Sequence, residues 1–155
     1  MDKLKEEIIS FLNAQGSVVL TSIDKEGFPH SACKGIVKID DKSRIYLLDV
    51  YQGKTLENLK RNPFASITAF NEHDFVGYCL KGKAHLIPKE ELGLDIVKSW
   101  DDKITSRATQ RLVKNIREEK ISLSHPEVAL PKPKYMIMIE IQEVVDLTPQ
   151  HLKKG

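Results

Sequence analysis

The chain of 155 residues is long enough for one domain with a buried core and too short for two independent ones. Its 41% hydrophobic and 30% charged residues, with 8 Gly and 7 Pro, exclude a disordered or fibrous class. Twenty-four Lys+Arg against 22 Asp+Glu leave a net charge of +2, which argues against a nucleic-acid partner drawn by bulk charge, and the longest apolar runs fall far short of the ~20 residues of a membrane span.

The first residues, Met1 to Glu7, carry mixed charge and lead into no long apolar segment, so the expected location is cytoplasmic. Leu4, Ile8, Phe11 and Leu12 recur at spacings of three and four, one face of a short helix ending near Gly16. Ser17 to Ile23 is rich in β-branched residues and precedes the turn Asp24-Lys25-Glu26-Gly27, which predicts a hairpin into a strand over Phe28 to Ile39. After Asp40-Asp41-Lys42-Ser43 comes a compact strand, Arg44 to Val50. Thr55 to Asn62 reads as a two-turn helix, with Thr55 able to cap it and Pro63 ending it. Two strands follow, Phe64 to Phe70 and Phe75 to Ile87, joined by Asn71-Glu72-His73-Asp74 and closed by Pro88.

Lys89 to Trp100 and Arg107 to Lys120 read as two helices, with Ser106 as the N-cap of the second, and a Pro-containing loop spans Ser124 to Pro133. The last strand alternates Ile137, Ile139 and Ile141 with Met136, Met138, Glu140 and Gln142, the pattern of a half-buried strand. Six strands with intervening helices predict a mainly β fold, a six-stranded antiparallel barrel with peripheral α-helices, forming one domain over 1–155 with a helical insertion at about 89–120.

Chemistry concentrates at Gly53-Lys54-Thr55. A strand delivers the chain to a glycine that allows close backbone approach, and Lys54 and Thr55 then stand at a helix N-terminus, where free N–H groups and the macrodipole favour an anion. The sequence lacks the upstream glycine of a Walker loop, so a single phosphomonoester suits it better than a triphosphate. Taken alone, the same tripeptide also serves as an ordinary turn and cap.

The order Gly27-Phe28-Pro29-His30, Arg44-Ile45-Tyr46, Lys54-Thr55 with Asn58-Leu59 and Asn62-Pro63, then Leu80-Lys81-Gly82-Lys83-Ala84, resembles the pyridoxamine 5'-phosphate oxidase-like FMN-binding split-barrel family over roughly residues 5 to 88 plus the closing strand. The resemblance implies a split barrel of the FMN-binding type and a homodimer that holds FMN at its subunit interface. It implies that Lys54 and Thr55 hold the phosphate, that Ser31, Ala32, Cys33 and Lys34 run beside the flavin, and that Asn58 supports the turn. Family activities include oxidases and flavin reductases, so the expected function is an FMN-dependent oxidoreductase carrying electrons from a reduced nicotinamide nucleotide to a small-molecule acceptor. The alternative is a non-catalytic flavin- or haem-binding module. The arginine-rich strand and C-terminal signature of true pyridoxamine-phosphate oxidases are not evident, which argues against vitamin B6 oxidation.

Other constellations point to less. The five histidines show no HxH or HExxH spacing, so no metal site is expected. Cys33 and Cys79, 46 positions apart, read as reduced, buried packing residues. Arg107, Arg111, Lys114, Arg117 and Lys120 fall on one helical stripe, but Glu118 and Glu119 interrupt it and no aromatic residues interleave, so neither nucleic acid nor membrane is expected as a partner. Trp100 and Tyr135, which flank the insertion, are candidates to cover the open side of a flavin pocket.

Overall fold

The computed structural model describes residues 2–49, 53–117 and 134–153, and for the helix beyond 106 only the side chains of 109, 110 and 113. In chain order the elements are α1 (Glu6–Gln15), β1 (Ser17–Ile23), β2 (Pro29–Ile39), β3 (Arg44–Leu48), α2 (Lys54–Arg61), β4 (Phe64–Asn71), β5 (Val76–Pro88), α3 (Leu94–Arg117) and β6 (Tyr135–Asp146). The six strands close an antiparallel barrel in the order β1-β2-β3-β6-β5-β4. The hairpins arise where the turn chemistry predicts them. Between β1 and β2 the Asp24 carboxylate accepts the N–H groups of Glu26 and Phe28, each at 2.9 Å, and Gly27 takes the left-handed φ of 89° that the turn requires.

Alternation along each strand fills the barrel. Leu20, Ile45, Leu47, Ile67, Leu80, Ile137 and Ile139 point inward and are fully buried, each contributing about 1.5–3 kcal/mol by leaving water. Two helices complete this core near opposite ends of β2. Leu4, Ile8 and Leu12 enter from the α1 segment, whose Leu4 N–H donates to the Ser43 hydroxyl in the β2–β3 turn at 2.8 Å. Leu59 enters from α2, which is tied to the β1–β2 end. In β5, Gly82 sits at a register shift against β6, and any Cβ there would lie 2.1 Å from the Glu140 carbonyl oxygen.

A second apolar layer lies outside the barrel. Tyr46 and Leu48 of β3 and Met136 and Met138 of β6 point outward and are buried under Ile96 and Trp100 of α3, with Val37, Ile87, Leu92 and Ile104 at its edges. A Lys38–Asp95 ion pair at 2.5 Å ties β2 to the start of α3.

The layer corrects several expectations. The insertion carries one continuous helix from Leu94 to Arg117, not two, and Ser106 lies inside it. No Gly or Pro interrupts that run, and Ile104 continues the apolar face through the polar stretch. Met136 and Met138 lie in the second layer, so β6 is buried on both faces over its first half. Trp100 is only 2% exposed in the same layer. Cys33 is exposed and Cys79 half-buried, because both point to the outer side of the barrel at positions that no described helix covers. Gly53, not Thr55, occupies the N-cap of α2. The basic stripe's side chains, Lys120 itself and the loop to Pro133 lie outside the described residues.

Candidate functional site

The barrel is split where β2 leaves β3. β1 pairs with β2 from Pro29 to Gly35, whereas β3 pairs with it only from Gly35 onward. Ser31, Ala32, Cys33 and Lys34 therefore have β1 on one side and, among the described residues, no strand on the other. Among the described residues, their backbone N–H and C=O groups on that side have no ladder partner. Ser31 and Cys33, opposite Thr21 and Val19, point outward and are exposed, and the Ser31 and Thr21 hydroxyls are 2.9 Å apart. Ala32 and Lys34, opposite Leu20 and Val18, point to the inner side.

At the mouth of the split the ladder is continued by side chains. Asp49 stands one residue beyond the Gly35–Leu48 pair, across from Lys34, and its side chain is fully buried. Lys34 Nζ lies 2.7 Å from Asp49 Oδ1, and the Tyr135 hydroxyl donates to Oδ2. A carboxylate so deeply buried requires this pairing, since an isolated buried charge is very costly. Burial above all, then the bond to Asp49 and its charge, pushes the Tyr135 phenol far above the ordinary tyrosine range, so it remains the donor in this contact. The middle of β2, the end of β3 and the start of β6 are thus joined beside the Ser31 to Lys34 stretch.

The chain runs from Asp49 to α2 within four residues. At its first turn Lys54 is exposed, Gly53 caps with no side-chain bond, and Thr55 is buried. Asn58 is buried too, donating to the Ser22 hydroxyl at 3.1 Å and accepting from the Arg61 guanidinium at 2.9 Å; Arg61 also donates to the Ile23 carbonyl at 3.1 Å. Ser22 is the β-partner of His30, next to Ser31. Asn58 is therefore a strut between the helix and the strand pair, while Lys54 is exposed at the first turn and has no hydrogen bond or ion pair among the described residues.

Of the expected residues, the fold brings Ser31 to Lys34 onto the stretch of β2 that β3 does not pair with and ties α2 to the same strand pair through Asn58. It separates Ser31 and Cys33, on the outer face, from Ala32 and Lys34, on the inner. Asp49 and Ser22 carry no motif that marks them in the sequence, and Arg61, a second basic candidate for the phosphate, instead braces Asn58 and the Ile23 carbonyl. Asp49 did leave a signal, as the acidic residue ending the apolar run Ile45-Tyr46-Leu47-Leu48. Among the described residues no group of three His, Cys, Asp or Glu is placed to hold a metal, and no helix is long and apolar enough to cross a membrane.

No curated protein matches the chain. Solved structures do: HupZ of Group A Streptococcus is similar at a TM-score of 0.61 and 16% identity, covering 94% of this chain and 95% of that one. A Clostridium acetobutylicum protein related to general stress protein 26, of the pyridoxinephosphate oxidase family, is similar at 0.57 and 13%, covering 95% of each chain. HutZ, the haem storage protein of Vibrio cholerae, is similar at 0.54 and 15%, covering 94% of each. At these identities the likeness establishes the fold alone. The family model described as pyridoxamine 5'-phosphate oxidase matches residues 4–144, nearly the whole chain and every strand of the barrel, and the protein belongs to that family.

Proposed function

We propose that the protein is an FMN-binding flavoprotein, active as a homodimer, that passes electrons from a reduced nicotinamide nucleotide through the flavin to a small-molecule acceptor. The observation that carries this reading is the stretch of β2 from Ser31 to Lys34, which pairs with β1 on one side and, among the described residues, with no strand on the other. A flavin ring needs hydrogen-bond partners along its pyrimidine edge and near N5, and the backbone groups of Ser31 to Lys34 supply donors and acceptors at fixed spacing. Lys54 at the start of α2 would meet the phosphate, aided by the helix dipole, with Thr55 and Asn58 holding the turn from behind. FMN would supply the redox chemistry, and these residues would bind and orient it.

A second copy would cover the outer face of β1, β2, β4 and β5. There a groove of about 450 Å³, lined by Thr21, Ile23, Phe64, Ser66, Cys79 and Gln142, adjoins exposed Val19 and Phe64. The likeness to HutZ favours a second reading, a non-catalytic flavin- or haem-binding module on the same barrel.

The absorption spectrum of the purified protein separates these readings. A yellow protein bleached by NAD(P)H supports the oxidoreductase, a yellow one inert to nucleotides the carrier, and a red one the haem module. The phosphate site is tested by Lys54→Ala. Loss of one charge-assisted contact should weaken FMN about ten- to a hundredfold, or about 1.5–3 kcal/mol, and leave riboflavin, which has no phosphate, unchanged. Equal losses for both ligands would make Lys54 a prop of the fold, and no loss would move the phosphate elsewhere.

A further inference from the structure

The Lys34–Asp49–Tyr135 cluster is the most deeply buried charged arrangement among the described residues, and it stands at the mouth of the split, where β3 stops pairing with β2. Both Asp49 oxygens are engaged, one by an ammonium and one by a phenol, so the charge of Lys34 is compensated at 2.7 Å. A lysine whose side chain is 11% exposed, against a carboxylate that is fully buried, presents a neutral pair to its surroundings.

We infer that Asp49 is a positioning residue that holds Lys34 at the flavin edge and cancels its charge, setting the reduction potential of bound FMN. The inference rests on the FMN reading. Two-electron reduction with uptake of one proton leaves the flavin one unit more negative, with the electrons drawn from dithionite in the titration and the proton from solvent. An uncompensated Lys34 ammonium would favour that product, and an uncompensated Asp49 carboxylate would oppose it. The native pair does neither strongly.

The test is a charge cycle on the full-length protein loaded with FMN, each variant checked by thermal melting and titrated with dithionite against a reference dye at pH 7. Asp49→Asn should raise the potential, shifting the reduction equilibrium about tenfold, or about 30 mV for two electrons. Lys34→Gln should shift it in the opposite direction, and the double variant should return close to wild type. A readout without flavin accompanies it: acetic anhydride labelling followed by mass spectrometry should find Lys34 several-fold slower than Lys54 in wild type, with Asp49→Asn closing the gap. Should Asp49→Asn fail to fold, Lys34→Gln against the double variant carries the cycle. Equal potentials across the folded variants, or Lys34 labelled as fast as Lys54 in wild type, overturn the role of Asp49 alone. Wild-type protein that binds no FMN overturns the functional reading and this role together.

Discussion

The outer face of β3 and of the first half of β6 lies under α3, while most of the outer face of β2, β1, β4 and β5 has no cover among the described residues. Both arise from the same strand alternation around one barrel, yet they are built from different residues. The covered face presents Tyr46, Leu48, Met136 and Met138, large side chains that fill the uneven space beneath a helix, methionine being well suited to that task. The bare face presents Val19, Thr21, Ile23, Ser31, Cys33, Ser66 and Thr68, small and partly polar, flanked by exposed Phe64 and Phe70 of β4 and by Lys81, Lys83 and His85 of β5. Over β1 and β2 small β-branched and hydroxyl side chains make a surface that tolerates water and leaves room for another sheet. Among the described residues the chain thus buries one outer face with its own helix and leaves the other open, the face proposed above for a second copy.

The largest expected effect comes from uncovering the buried face. Trp100→Ala removes the ring at the centre of the second layer and should cost about 3–5 kcal/mol in urea unfolding. Trp100→Phe sharpens the point. Among the described residues the indole N–H has no hydrogen-bond partner, so phenylalanine discards an unsatisfied donor along with some volume and should cost far less than alanine. Equal losses would mean that the layer depends on the indole itself rather than on its bulk.

The bare face should respond in the opposite way. Phe64 is 60% exposed, and Phe64→Glu should change the stability of the folded monomer by no more than about 0.5 kcal/mol while weakening self-association at least about a hundredfold by burying a charge in the contact. Sedimentation at several concentrations measures the second quantity and chemical denaturation the first. Unchanged association would place the dimer contact on another surface.

Tyr135 stands at the seam between the two regions, and its effect is smaller and depends on pH. Tyr135→Phe leaves one oxygen of buried Asp49 without its donor and should cost about 1–3 kcal/mol at neutral pH. The sign at alkaline pH follows from the raised folded-state value. Below the ordinary value of 10.0 the phenol is protonated in both states and its stabilisation is complete; above it the unfolded chain ionises while the folded one does not. Stability should therefore fall with rising pH by about 1.4 kcal/mol per unit for this group, and the fall should be shallower in the Phe variant. Tyr46 and Tyr78, both raised chiefly by burial, add to the slope in each protein. Identical slopes would remove Tyr135 as its source.

Strand positions and inner faces were legible because a barrel strand needs only period-two alternation and turn residues at its ends, as Ser17 to Ile23 and its Asp24–Gly27 turn illustrate. The second layer was not legible. Met136 and Met138 alternate like solvent-facing residues until a helix nearly forty positions earlier covers them, and that helix continues through a polar stretch because Ile104 reaches the same layer. In the candidate site, Lys54 and the strand over Ser31 to Lys34 could be found from local order and resemblance. Asp49 could not be tied to Lys34 and Tyr135, since pairs 15 and 86 positions apart meet only after the barrel closes.

The smallest effect concerns the two thiols, and it tests the bare face most directly. Cys33, Val19, Thr68 and Cys79 form one cross-strand row over β2, β1, β4 and β5, so both sulfurs point to the surface assigned to a second copy. Neither lies in a packed interior, and Cys33→Ser should alter monomer stability by less than about 0.5 kcal/mol and leave flavin reduction intact. Their labelling by a thiol reagent should nevertheless depend on protein concentration. In dilute protein Cys33, the more exposed, should react before Cys79; in concentrated protein the second copy covers the row and both should slow together. Phe64→Glu should abolish that protection without changing the order of reaction. Labelling independent of concentration in wild type would show the row open in the assembled protein, and its small side chains would then need a partner other than a second copy of this chain.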